Sequence, residues 1–199
     1  MKLLNAEELK AVIGHEIAHI RNRDVLTITL ISVIPIIMWR IAMHFLIYGS
    51  GNRREGGNTA LIGLVALVFY FVTNLLVLYG SRIREYFADQ GSVEFGNRPE
   101  AMATALYKLV YGSARMDKNT IKEAEGLKAF FVNDPSRAMH EIRELSQLDM
   151  DRSGTIDPHE LDSVRHKHVR LTSSDRLMEM LSTHPNMLNR IKHLSSLRG

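Results

Sequence analysis

Residues 25–48 read VLTITLISVIPIIMWRIAMHFLIY, and residues 60–79 read ALIGLVALVFYFVTNLLVLY. Arg40 is the single Asp, Glu, Lys or Arg in either run. As helices the two runs extend roughly 36 and 30 Å, each enough to cross a hydrocarbon core about 30 Å thick. A buried hairpin inside a soluble helical core is the competing reading, but core helices are usually shorter. The polar groups of the second run are Thr73, Asn74 and tyrosines. In the first run, Pro35 predicts a kink, and Arg40 must snorkel or face protein. The connector GSGNRREGGN (49–58) is glycine-rich and polar and predicts a loop. A hairpin returns both flanks to one side. The flanks carry Arg21, Arg23, Arg82 and Arg84 against Arg53 and Arg54 in the connector. That bias predicts a multi-pass protein of the cell membrane with cytoplasmic flanks.

Outside these runs the chain is charge-rich, and the whole-chain mean hydropathy of −0.09 conceals the split. Over 199 residues the net charge is +3, too weak a basic balance for wrapping nucleic acid. The absence of cysteine removes disulfides, thiolate metal sites and a cysteine nucleophile.

Just before the first run the chain reads LLNAEELKAVIGHEIAHIRNRD (3–24). Asn5 is a good N-cap, and Glu8 three residues on completes a capping box. Leu4 and Leu9 are spaced for a hydrophobic staple, so a helix is predicted from about Ala6. His15 and His19 lie one turn apart on it, and both imidazoles can reach one zinc ion. Glu16 beside them can take a proton from a zinc-activated water that attacks a peptide carbonyl. Two surface histidines are the plain alternative. The neighbours Val12, Ile13, Ile17, Ala18 and Ile20 argue against a fully exposed face.

A catalytic zinc site needs a third protein ligand. Glu85, in SRIREYFAD (81–89), is the best placed, because the hairpin carries it back beside His19. Asp89, four residues later, can orient a ligand histidine through a hydrogen bond. On local sequence alone Arg82, Arg84, Glu85 and Asp89 also suit surface ion pairs. His140, His159, His166, His168 and His184 keep the choice of ligand open.

HEIAHIRNRD, a membrane hairpin, SRIREYFAD and then STHPNMLNRI (182–191) together resemble the HtpX-like family of integral membrane zinc metalloproteases. The resemblance covers most of the chain apart from about 136–170. It implies His15, His19 and Glu85 as zinc ligands, Glu16 as general base and Asp89 as the support of a ligand. It also implies a cytoplasm-facing site and a role in membrane-protein quality control. His184 and Arg190 would lie near the active site, where either can stabilise an oxyanion. On spacing alone, THP reads as a helix start, with Thr183 as cap and Pro185 early in the helix. Family members place two further spans and a strand-containing segment upstream of HExxH. Part of the substrate cleft, including an edge for strand addition, is therefore expected to lie outside this chain.

Residues 149–160, DMDRSGTIDPHE, fit a calcium-binding EF-hand loop apart from serine at the fifth position. Asp149, Asp151, Ser153, Thr155 (through its carbonyl), Asp157 and Glu160 are the expected ligands. Gly154 permits the sharp turn, and Ile156 takes the inward apolar position. Ala138, Met139, Ile142, Leu145 and Leu148 form an apolar stripe before the loop, and Leu161, Val164 and Val169 continue it afterwards. An acidic turn is the plain alternative. Of the rest, 101–111 predicts a packing helix, 113–119 a polar linker and 165–170 a solvated basic helix face.

The expected fold is all-α: an integral membrane helical hairpin, a soluble helical zincin-type protease domain and an EF-hand-like helix–loop–helix. The segments are 1–24 (zinc helix), 25–80 (hairpin), 81–135 (third ligand), 136–170 (EF-hand-like insertion) and 171–199 (THP segment). The expected function is zinc-dependent cleavage of misfolded or membrane-associated proteins, with calcium as modulator. Its partners are then a protein or peptide substrate and the bilayer, with no nucleic acid. The competing reading is a membrane-anchored calcium-binding module or an inactive protease fragment. A prenylated-peptide protease of the same superfamily fits less well, because it needs more membrane spans.

Overall fold

The computed structural model describes residues 3–48, 56–115, 145, 148–166 and 179–198, and all regular structure among them is helical. Helix α1 spans Ala6–Arg21 and α2 spans Asp24–Met43, continued by a π-helical turn, His44–Tyr48. Helix α3 is Gly56–Glu94, α4 is Pro99–Arg115, α5 is Pro158–His166 and α6 is Met187–Ser196. Ala138, Met139 and Ile142 of the expected stripe, Val169 and most of the basic 165–170 stretch lie outside the described residues.

The capping box forms as the sequence predicts. Asn5 Oδ1 accepts from Glu8 N at 2.8 Å, and Glu8 Oε2 accepts from Asn5 N at 2.9 Å. The other oxygen of Glu8 accepts from Lys108 Nζ of α4 at 2.7 Å, which ties the start of α1 to α4. Leu9 is half exposed.

Helices α2 and α3 pair as an antiparallel hairpin. Each contains an apolar window long enough to cross a membrane, and only 11% of either window is buried. Leu30, Ile36, Leu61, Phe69 and Leu76 face outward, a surface that suits lipid rather than water. Pro35 stays within α2, buried on the α3 side, and Trp39 packs against Tyr70. Gly63 lets the π-helical turn approach, since a Cβ there would lie 2.8 Å from Leu46 Cγ.

Two boundaries differ from the sequence reading. Residues 56–58, expected in the connecting loop, instead begin α3, and 49–55 lie outside the described residues; a helix first turn tolerates glycine better than its interior does. Residues 113–115, expected to open a polar linker, instead complete α4, and 116–119 lie outside the described residues. Helix α3 runs unbroken from the apolar segment into the polar one, so 60–79 and 81–89 share one rigid axis.

Outside the hairpin, α1 packs on α3 and α4, and α6 packs on α4, α5 and α3. The core is built from Met102 and Leu106 of α4, Leu145, Ile156, Leu161 and Val164, and Ile191 and Leu194 of α6. The EF-hand-like segment thus contributes directly to this core. Helix α1 meets α3 at small residues: a Cβ on Gly91 would lie 2.5 Å from Ala18 Cβ. Gly91→Ala is therefore expected to destabilise by about 1–3 kcal/mol, overpacking outweighing its better helix propensity. Gly80 has open space around its Cβ position, so Gly80→Ala should instead raise the melting temperature. Thermal unfolding of the two variants in detergent checks both signs.

Candidate metal centre

Helix α1 presents His15 and His19 to the polar end of α3. Their rings meet edge to face with centroids 4.6 Å apart, and their Nε2 atoms are 3.1 Å apart. Glu85 on α3 closes the triangle, with Oε2 3.7 Å from His15 Nε2 and Oε1 3.8 Å from His19 Nε2. A tetrahedral ion with bonds of about 2.0–2.1 Å spaces its ligand atoms about 3.3 Å apart, so the triangle is close to the size zinc requires. Among the described residues, the carboxylate that groups with both histidines is Glu85.

The far nitrogens of the rings face carboxylates. His15 Nδ1 lies 2.9 Å from Asp89 Oδ1, and His19 Nδ1 lies 2.5 Å from Asp24 Oδ2. In the tautomer that carries the proton on Nδ1, the nitrogen nearer each acid, each Nε2 turns a lone pair toward the other and toward Glu85. That arrangement is repulsive by itself and suits a cation at its centre. The residues present therefore fit a metal.

Arg190 of α6 lies beneath the triangle, 1% exposed. Its Nε and Nη2 donate to the two oxygens of Asp89 at 2.9 and 2.6 Å, and its Nη1 lies 3.1 Å from Glu85 Oε2. Burial alone would push both acids up. For Glu85, the His184 contact and the Arg190 guanidinium more than offset it, holding the carboxyl well below the usual range. For Asp89, the Arg190 charge and the His15 contact do the same. The two acids in turn hold the buried guanidinium firmly protonated.

Around this centre, Glu16 has an exposed side chain on α1. His184 stands at the rim, with Nδ1 3.6 Å from Glu85 Oε1 and its side chain 40% exposed. The turn that carries it is clamped by Arg82, whose Nη1 donates to the carbonyls of Glu179, Met180 and Ser182 at 2.8, 2.9 and 2.8 Å. Thr183 does not cap the following helix. Asn186 does, its Oδ1 accepting from Leu188 N, because Pro185 lies before the first helical turn rather than in it. Of the apolar neighbours that argue against a fully exposed face, Ala18 is buried and Val12 packs against the core, whereas Ile13, Ile17 and Ile20 are exposed. Of the other candidate ligands, His159 is exposed on α5, while His140, His168 and the His166 side chain lie outside the described residues.

The structure also places two residues that sequence reasoning does not single out as part of the site. Asp24 is hidden because its link to His19 depends on the turn between α1 and α2. Arg82 counts in the sequence as an orientation charge, yet it clamps a segment about a hundred residues away.

The loop at 149–160 forms a second group. Oxygens of Asp149, Asp151 and Glu160 lie within 4.8 Å of one another, and Asp149 and Glu160 are buried. Gly154 adopts φ +80°, as the sharp turn requires, and Ile156 is buried in the core. The loop docks on α4: Tyr107 donates to Asp149 Oδ2 at 2.9 Å, and the Thr104 hydroxyl bonds both the N–H and the carbonyl of Ile156. Ser153 turns its hydroxyl to Thr155 Oγ1 at 2.8 Å, and Asp157 Oδ1 accepts from Glu160 N at 2.8 Å.

Removing Arg190 would leave Asp89 and Glu85 buried without their cation. Arg190→Ala is expected to cost about 3–5 kcal/mol, readable as a loss of chemical-denaturation stability in metal-free protein.

Comparison with known proteins places the chain in a family. The model of peptidase family M48 matches residues 1–198. A protease HtpX homolog of Methanothermobacter thermautotrophicus is 47% identical over 110 residues, which are 55% of this chain and 40% of that protein. One from Thermoplasma volcanium is 33% identical over 198 residues, 98% of this chain and 55% of the relative. Protease HtpX homolog 2 of Methanosarcina mazei is 28% identical over 201 residues, covering 100% of this chain and 56% of its own length. The chain spans about half the length of the curated relatives it matches. No solved structure matches it. With His15, His19 and Glu85 gathered at the end of a membrane hairpin and a family match along almost its whole length, the chain belongs to peptidase family M48.

Proposed function

We propose that this chain carries the catalytic centre of a zinc endopeptidase of the cell membrane, acting on misfolded or membrane-associated proteins. The observation that carries the reading is the His15–His19–Glu85 triangle, set where α3 leaves its apolar segment. His15, His19 and Glu85 would hold the metal. Bound zinc supplies a Lewis acid that polarises a peptide carbonyl and makes water a nucleophile near neutral pH. Glu16, exposed beside the ligands, accepts the proton of the attacking water and returns it to the leaving amine. His184, half out at the rim, is placed to meet the oxyanion. Arg190 is enclosed by Asp89 and Glu85, so its part is to hold the third ligand in place. The arginine bias of the flanks supports a cytoplasmic active side.

Calcium at the 149–160 loop is proposed as the modulator. Two buried carboxylates and an exposed one converge there, and among the described residues no lysine or arginine pairs with them. The helix leaving the loop, α5, packs on α6, and Arg198 donates to the Pro158 carbonyl at 2.6 Å. Occupancy of the loop would thus bear on the helix that carries Arg190.

Elemental analysis of detergent-purified protein should find about one zinc per chain, lost in Glu85→Ala. Glu16→Gln should keep the metal and lose at least about 100-fold in turnover of an unfolded protein substrate. Retained proteolysis would remove the general-base role. A cleavage rate unchanged across a calcium titration, in protein shown to bind calcium, would remove the modulation.

A further inference from the structure

Helix α1 ends at Arg21, and Asn22 and Arg23 make a tight turn into α2. Arg23 sits in the left-handed region at φ 54°, ψ 40°, a conformation that non-glycine residues adopt infrequently. It reverses the chain so that Asp24, the first residue of α2, returns to His19 with Oδ2 2.5 Å from Nδ1. Asp24 is 5% exposed. The start of α2 has no side-chain cap from Arg23, so the turn is fixed by the backbone and by this contact.

We infer that Asp24 is a positioning residue: it fixes the tautomer and ring orientation of His19, so that the start of the first membrane helix is built into the metal centre. The inference rests on the zinc reading above. Its counterpart is Asp89, which faces His15 from the extension of the second membrane helix. Each histidine of α1 is therefore held by a carboxylate from a different arm of the hairpin. A shift of α2 against α1 would release His19 without touching His15, and the metal centre is thereby sensitive to how the two membrane helices are set.

A purely structural role for Asp24 also exists, since an acid in the first turn of a helix favours the helix dipole. That role affects folding but not the metal. The test is zinc affinity by competition with a chromogenic chelator, together with the visible spectrum of the cobalt(II)-loaded protein. Asp24→Asn is expected to weaken zinc binding about 10–100-fold and change the cobalt spectrum, while metal-free helix content stays as in the wild type. Asp24→Glu should recover part of the affinity. If Asp24→Asn does not fold, Asp24→Ser, a residue suited to helix starts, carries the same expectation. Glu94→Gln removes the exposed pair with Arg21 at the same end of α1 and should leave the affinity unchanged. Wild-type affinity and spectrum in the Asp24 variants would overturn the inference, as would an equal loss in Glu94→Gln. A wild-type protein that takes up no zinc would overturn the metal centre itself and the inference with it.

Discussion

A guanidinium 1% exposed to solvent cannot sit in a helical core without compensation, and here two carboxylates supply it. Asp89 takes Arg190 in a two-bond grip, and Glu85 meets it from one turn earlier on the same helix. This contact joins α6 to α3 across about a hundred residues of sequence. It also fixes the two acids that face the histidines of α1. Without it, Glu85 and Asp89 would be buried anions with only imidazoles beside them.

The second constraint is mechanical. Helix α3 is continuous from Gly56 to Glu94, so Glu85 and Asp89 are borne by the same rod as the long apolar segment. Helix α1 packs against that rod through Ala18 and Gly91, where the lack of side-chain bulk allows the backbones to approach. The capping box at the other end of α1 is tied to α4 through Glu8 and Lys108. Helix α1, which carries the histidines, is thus held between α3 and α4. The short turn at Arg23 links this arrangement to the first arm of the hairpin.

Much of this was legible in the residues. Two long apolar runs with one charge between them dictate helices long and apolar enough to cross a membrane, because the bilayer sets the length and disfavours unpaired charge. Asn5 and Glu8 fix the start of α1, because a capping box is a local hydrogen-bond pattern. His15 and His19 share a face because a helix repeats every 3.6 residues. The spacing of Glu85 and Asp89 follows the same rule, and the turn chemistry at Gly154 is equally local. What tertiary structure alone decided is which partner each group meets. Asp24 reaches His19 only because Arg23 turns left-handed. Arg82 finds the carbonyls of 179–182, and Arg190 finds Asp89, only because α6 docks on α3. Thr104 reaches Ile156 only because the 149–160 loop joins the common core. Those contacts depend on long-range packing, whose geometry no local spacing encodes. The residue types able to hold a metal were written in the sequence, and their orientation was settled by the fold.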